Sequence, residues 1–373
     1  MNSLAPSAST NRPVYRCAVL SVVKHAYVPR GVAAHPQFQL VVVADDPDQP
    51  DWVHQRNQEF ADEWNIPYVC DVDRALREYG ATVAVVSSEA ERHCGLSLRA
   101  IEAGLHVVQD KPMSNRLADC DRVVEAVRRR GVQFLLWNRN FLPGLVHAHE
   151  LLARGEIGVV QSIHVDFYFA KDAGPPRGSR QPGDSPIDWL TFQIAAHADG
   201  SDGAIGRDPL GELSNEGIYP LGYIHLLCGA RVRQVFARTA AHFHQVNVDN
   251  QVEDVATMSL VLENGVTGSV CVGRIGNAAH PEIGEIKIHI VGTRGALVIS
   301  EARPAVYYRG QPEKEFKHRR VAIDLDHRLL ENFRLAIETG SPTVLDAQAG
   351  RDICATIQAA LKSAVSGRVE RVV

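Results

Sequence analysis

The chain has 373 residues, 45% of them hydrophobic and 22% charged, a globular composition and a length better suited to two domains than to one core. A formal charge of −5 and a pI near 6.3 argue against a nucleic-acid partner, which favours a basic face. No stretch approaches the roughly 18 apolar residues of a membrane span, and the seven cysteines, widely spaced and without a C-x-x-C pair, read as reduced thiols of a cytoplasmic protein.

Residues 1–14 are small and polar, without an apolar core, and read as a disordered tail rather than a signal peptide. From there short apolar runs alternate with helical stretches. Strands are expected over Cys17–Ser21, Phe38–Ala44, Tyr68-Val69, Thr82–Ser87, His106–Gln109 and Val132–Leu136. Helices are expected over Tyr27–Ala34, Trp52–Trp64, Val72–Tyr79, Arg92–Ala103 and Leu117–Arg130. Continuous β-branched runs separated by helices indicate a parallel sheet covered on both faces, the doubly wound plan of nucleotide-binding domains. The basic run Arg128-Arg129-Arg130 reads as the solvated end of its helix, and Lys317–Arg320 as a solvated loop.

After Asn138 the pattern changes. One helix, Gly144–Arg154, precedes runs of period-two alternation over Val159–Phe169, Val232–His244, Val255–Leu262, Gly268–Val272, Ile286–Val291 and Ala296–Ile299. Short turns at Glu263-Asn264-Gly265 and Gly292–Gly295 suggest hairpins, and helices at Arg328–Thr339 and Ala347–Ser366 close the chain. The expected fold is α/β: a Rossmann domain over 15–137, then an α+β domain over 138–373 with a large, open, mostly antiparallel sheet. The stretch Asp172–Gly211, rich in Gly, Pro, Asp and Ser, is too long for a plain connector, and long loops of compact domains are commonly functional.

The clearest chemical feature is Val107–Pro112, which sets Lys111 just past a buried strand. Ligands of open α/β sheets sit outside the carboxyl ends of strands, so Lys111 belongs at the mouth of the cofactor crevice. Asp45 ends strand two, 24 residues after Ser21; an acid there bonds the adenosine ribose and repels a 2′-phosphate, favouring NAD over NADP. The phosphate loop departs from G-x-G-x-x-G: after Leu20 come Ser21-Val22-Val23-Lys24-His25-Ala26, with no glycine until Gly31. Ser21, Lys24 and His25 offer donors in place of a close backbone. The pairs His147-x-His149 and His242-x-His244 lack a convergent carboxylate or thiol set, so no metal is expected.

The run Ser87–Pro112, SSEAERHCGLSLRAIEAGLHVVQDKP, closely resembles the corresponding segment of the glucose–fructose oxidoreductase / inositol dehydrogenase (Gfo/Idh/MocA) family. The likeness continues through Asn138–Pro143, Gly155–Gly158, Glu253–Ala256, Glu263–Gly265, Gly292–Gly295 and Ser363–Gly367, and so covers essentially residues 15–373. Asp110 stands where the family's Glu-Lys-Pro has its acid, and the resemblance makes Lys111 the lysine that contacts both the substrate hydroxyl and the nicotinamide region. A second family element matches Gly211–Pro220, placing Tyr219 at the catalytic His or Tyr and Asn215 at a position the family fills with Asp. An ammonium close to a phenol favours phenolate, which suits Tyr219 as acid/base beside Lys111.

The resemblance implies an NAD(P)-dependent dehydrogenase, NAD favoured, acting on a hydroxyl-bearing carbon of a sugar, glycoside or polyol, and a homo-oligomer (dimer or tetramer). Substrate contacts would come from Asn215, Arg139, Trp189 and His225. Cofactor contacts would come from Ser21, Lys24, His25 and Asp45, from Ser87, Ser88, Glu89 and His93, and from Gln109, Asp110 and Lys111. Two alternatives stay open: a redox-neutral sugar-modifying enzyme with tightly bound NAD, and a non-catalytic dinucleotide-binding sensor.

Overall fold

The apolar runs of the first half form six parallel strands: β1 (Tyr15–Val22), β2 (Phe38–Ala44), β3 (Tyr68–Val69), β4 (Val83–Ser87), β5 (His106–Gln109) and β6 (Phe134–Leu136). Their order is β3-β2-β1-β4-β5-β6, so the connection reverses between β1 and β4 and opens a crevice at the carboxyl ends of those strands. The computed structural model describes residues 13–23, 25–169, 211–243, 245–274, 285–301, 305–310, 314–316 and 324–373. Helices α1 (Tyr27–Ala34), α2 (Asp51–Glu63), α3 (Val72–Glu78), α4 (Ala90–Glu102) and α5 (Leu117–Arg130) connect the strands. All five residues of β4 are buried, as a strand covered on both faces requires.

The second half begins with α6 (Pro143–Ala153) and β7 (Val160–Phe169), and resumes with α7 (Glu212–Glu216), α8 (Ile218–Cys228), β8 (Val232–Ala240) and α9 (Gln245–Asn250). Strands β9 (Val255–Leu262), β10 (Thr267–Arg274), β11 (Glu285–Gly292), β12 (Ala296–Ser300), β13 (Ala305–Gly310) and β14 (Lys314–Phe316) follow. Helices α10 (Leu325–Thr339) and α11 (Ala347–Ser366) and a short β15 (Glu370–Arg371) end the chain. The nine strands form one sheet, β14-β13-β12-β11-β7-β10-β9-β8-β15. Every pair is antiparallel except β7 with β10, which run parallel from Ser162↔Thr267 to Phe169↔Arg274. Alternation decides the faces: Ala256, Met258, Leu260 and Leu262 of β9 are buried, and Thr257 and Ser259 face outward.

Two features depart from the sequence reading. The expected strand Val232–His244 stops at Ala240, because the Asp254 carboxylate accepts the backbone N–H groups of His242 (2.9 Å) and Phe243 (2.6 Å) and turns the chain. The C-terminal helices, although late in the chain, pack on the nucleotide-binding half: Leu329, Leu330 and Phe333 of α10 join a core with Val28 and Val32 of α1. The segment before α11 also lies along the β6 edge, where Leu136 N–H donates to Leu345 O at 2.9 Å. A common apolar core then runs from one sheet to the other. Among the described residues no helix is long and apolar enough to cross a membrane.

Helix α6 starts after Leu142, a residue with no capping side chain, and Glu301 does the work from a distance. Its Oε1 accepts from Gly144 N (2.6 Å) and Leu145 N (3.2 Å), while burial pushes the carboxyl up to about 7. A carboxyl raised on folding binds its proton more tightly in the native state, so its ionisation takes stability away as pH rises from the unfolded value toward 7. Glu301→Gln keeps an acceptor without the charge. We expect it to leave urea stability unchanged at pH 5 and to raise it at pH 8, by on the order of 2 kcal/mol. An equal effect at both values would show that Glu301 does not carry this pH dependence.

Candidate active site

Lys111 follows β5 and is 3% exposed, with a cis bond to Pro112. Its Nζ donates to Glu216 Oε1 at 2.9 Å and to the Asn215 carbonyl at 3.1 Å, both on α7. The nucleotide-binding half therefore reaches into the second half through one buried ion pair. Burial pulls the ammonium's pKa down, but Glu216, Tyr219 and Asp110 outweigh it, and Lys111 stays charged. Burial likewise raises Glu216, while Lys111 and Arg274 outweigh that and hold it at about 2. Arg274, at the end of β10, donates to Glu212 Oε1 (2.7 Å) and Glu216 Oε1 (3.3 Å).

Tyr219, on the first turn of α8, is 2% exposed and stacks on Phe167 of β7, centroids 5.4 Å apart. Two cations lie over its ring, Arg139 at 4.7 Å and Lys111 at 5.5 Å from the centroid. Lys111, Tyr219, Arg139 and Asn215 are thus brought together.

At the carboxyl ends of β1, β4 and β5 a second cluster forms. His25 Nδ1 meets Asp110 Oδ2 at 2.5 Å, and Ser87 Oγ donates to the His25 carbonyl at 2.9 Å, so the β1–α1 loop is latched across the sheet. Burial would raise Asp110, but His25, His93 and Lys111 outweigh it and hold the carboxyl below its ordinary value. Ser21 sits at φ 64°, a left-handed conformation that glycine adopts more easily, and its Oγ is buried without a hydrogen-bond partner. Helix α1 follows Ala26 with no side-chain cap, but its first turn is poor in open donors: Val28 N–H donates to the His25 carbonyl at 3.0 Å, and Pro29 has no N–H. Gly31, the first glycine after β1, serves packing instead: a Cβ there would lie 2.9 Å from the Trp137 ring.

Models of known families match this chain over residues 24–137, as "Oxidoreductase family, NAD-binding Rossmann fold", and over 209–372, as "Oxidoreductase family, C-terminal alpha/beta domain". The chain belongs to the GFO/IDH/MocA oxidoreductase family. It is 23% identical over 249 residues to the trans-1,2-dihydrobenzene-1,2-diol dehydrogenase of Mus musculus, covering 66% of this chain and 63% of that one. To the inositol 2-dehydrogenase of Salmonella typhimurium it is 26% identical over 102 residues, 27% of this chain and 30% of the relative. The matched part thus spans less than two thirds of these relatives' length. A solved levoglucosan dehydrogenase in complex with NADH shares the fold, with TM-score 0.75 at 17% identity, covering 96% of this chain and 99% of that one.

Within this family fold the other expected residues fall into distinct groups. Asp45 is fully buried and its oxygens are taken: Oδ1 accepts from Arg92 (2.5 and 2.9 Å) and the Asp46 N–H, and Oδ2 from Asn57 (2.9 Å). It therefore meets Arg92 rather than standing open to a ribose. Arg92 also forms an ion pair with Glu89 Oε1 at 3.0 Å, so a single guanidinium lies between two carboxylates. Ser88 Oγ donates to the Glu89 carbonyl.

His93 and Gln109, expected to contact the cofactor, are bonded into the framework around β5. Both are fully buried; His93 faces the carbonyls of Pro112 (2.7 Å) and Ser88 (3.0 Å), and Gln109 bonds Ser97 and Met113. They pin the turn that carries Lys111. His225 lines a pocket with Arg231 and Asp352. Lys24 and Trp189 lie outside the described residues. Glu216 and Arg274 escaped the sequence reading altogether.

One group of described residues has metal-ligand composition, His35, His327 and Glu331. His35 Nδ1 accepts the Gln37 N–H (3.3 Å), which in the neutral ring puts the proton on Nε2, facing Glu331 Oε1 at 3.9 Å. At that distance it makes no hydrogen bond, and in this tautomer it carries the proton and offers no lone pair to a metal.

The His25–Asp110 contact can be isolated by Asp110→Asn, which keeps the shape and removes the charge. Hydrogen bonds to charged groups are worth about 1.5–3 kcal/mol, and urea unfolding should show a loss of that size. Amides of residues 22–28 should also exchange faster with deuterium. An unchanged denaturation midpoint would mean the latch contributes nothing to the native state.

Proposed function

We propose that the chain is a dehydrogenase that uses a nicotinamide dinucleotide, NAD in preference to NADP, to oxidise a secondary hydroxyl of a sugar or polyol. The observation that carries this reading is Lys111: a charged lysine, buried past the end of a Rossmann strand, with a tyrosine and an arginine beside it. A fixed ammonium in a water-poor site stabilises oxyanion character as an alcohol loses its proton. In this reading Tyr219 exchanges that proton with the substrate, and Arg139, over the same ring, orients the phenol. The names of the relatives support the substrate class, since they include dehydrogenases of inositol, a dihydrodiol and levoglucosan.

A dinucleotide fits the described residues. The orphaned Ser21 Oγ would donate to its phosphates, and the Asp45–Arg92–Glu89 group would face its adenosine. When bound, the nicotinamide supplies the hydride acceptor. The preference for NAD rests on charge. Arg92 is already answered by Asp45 and Glu89, so a 2′-phosphate would meet a net negative group.

Two measurements test this. Fluorescence titration should give tighter binding of NADH than of NADPH, and Asp45→Ala should narrow the gap by freeing Arg92; equal affinities in the wild type would overturn the preference. Incubation with NAD and a panel of myo-inositol, levoglucosan and L-sorbose should produce NADH with at least one member. Tyr219→Phe should then lower kcat about 10²–10⁴-fold, the usual share of a general acid–base group, with NADH affinity little changed. Full activity in that variant would remove Tyr219 from the proton transfer, and no turnover of any polyol would overturn the dehydrogenase reading.

A further inference from the structure

Helix α7 carries Glu212 and Glu216 at i and i+4, a spacing that sets both on one face. Each carboxylate spends one oxygen on cations. Glu212 Oε1 accepts from Arg274, and Glu216 Oε1 from Lys111 and Arg274. The second oxygen of each, Glu212 Oε2 and Glu216 Oε2, is buried and accepts no hydrogen bond. The side chains are only 9% and 5% exposed, so bulk water does not answer these atoms. Lys111 is the counterpart: an ammonium has three N–H donors, and two are placed, on Glu216 Oε1 and the Asn215 carbonyl. One donor and one acceptor are thus left beside each other in a buried site.

We propose that Glu216 is a substrate-binding residue: its Oε2 accepts a hydrogen bond from a substrate hydroxyl, whose oxygen accepts the third N–H of Lys111. Glu212 Oε2 offers an acceptor for a second hydroxyl of the same molecule. The proposal deepens the dehydrogenase reading by naming what the site recognises. An ionised carboxylate only accepts and an ammonium only donates; a hydroxyl does both, and a carbonyl or ether oxygen cannot serve the carboxylate. Anionic substrates are repelled by the same two oxygens. The site therefore selects a neutral polyol over its deoxy, keto or acidic analogues. Because Lys111 and Arg274 keep Glu216 ionised, the acceptor persists across the neutral pH range. Sites built to bond a hydroxyl discriminate strongly against analogues that lack it, since the buried partner is left unanswered.

The test needs no turnover. Crystals of the full chain soaked in myo-inositol, and separately in glycerol, should show a hydroxyl oxygen within hydrogen-bond reach of both Lys111 Nζ and Glu216 Oε2. Water alone at Glu216 Oε2 in both soaks, or a polyol held without contact to Glu216, overturns the proposal. In solution, Glu216→Gln keeps an acceptor for Lys111 but turns the free oxygen into a donor. With the polyol of the panel that is oxidised best, it should lower kcat/KM about ten- to a hundredfold, chiefly through KM, the worth of a hydrogen bond to a charged group. NADH affinity should hold, and Glu216→Asp should restore part of the loss. Equal losses in KM, NADH affinity and melting temperature would assign Glu216 to the framework instead. A hydroxyl seen in the soak with no polyol oxidised would leave the binding site standing and overturn only the dehydrogenase reading.

Discussion

The contact between Lys111 and Glu216 joins the two halves of the chain where the chemistry is expected. Desolvating an ammonium and a carboxylate costs several kcal/mol per ion, and their attraction repays this only when the remaining donors and acceptors are met. Here the repayment is shared: Lys111 adds the Asn215 carbonyl, and Glu216 adds Arg274, itself held by Glu212. No member of the group is fixed alone. The position of the lysine depends on α7, the position of α7 on the end of β10, and β10 on the only parallel pairing of the large sheet among the described residues. The antiparallel sheet thereby sets the geometry of a lysine that belongs, by chain order, to the nucleotide-binding half.

Much of the architecture was legible because burial leaves a direct trace in sequence. Continuous runs such as Val83–Ser87 have no polar face to offer solvent, and they became central parallel strands; alternating runs such as Val255–Leu262 became strands with one dry face. The D-K-P turn was legible for the same reason, as a charged residue placed directly after a buried strand. What could not be read were pairings between distant residues. Glu216 lies next to Asn215, whose amide was taken as the loss of a carboxylate from the site. One residue further along, a carboxylate does bond the lysine, but only the pitch of α7 and the end of β10 bring that about.

The adenosine end of the crevice shows the same limit. The place of Asp45 after β2 predicts an acid facing the ribose and gives no sign of an arginine beside it. The arginine comes instead from the first turn of α4, 47 residues away, and reaches back across the strand ends to both Asp45 and Glu89. The spacing rule for an acid after strand two assumes that the carboxylate is open toward the ligand. In this chain the acid is buried and saturated, and it restrains a guanidinium that also pairs with Glu89.

The glycine-free loop completes the physical account. In the usual motif, glycines serve three ends: a tight turn, a close approach of backbone to pyrophosphate, and close packing of the helix on the sheet. The chain meets these ends separately. Ser21 takes the left-handed turn conformation at some cost, Gly31 allows α1 to close on Trp137, and His25 latches the loop to Asp110. Close backbone approach is the end with no direct substitute, so the burden on side chains is greater here than in a glycine loop. That shift has a consequence for coupling. Asp110 is followed directly by Lys111, so the group that latches the β1–α1 loop adjoins the lysine proposed to hold the substrate hydroxyl. Any motion of the loop that draws His25 from Asp110 also changes the field at Lys111, since Asp110 is one of the charges that keep its ammonium protonated. On the proposed roles, cofactor seating and substrate recognition would be tied through two adjacent residues.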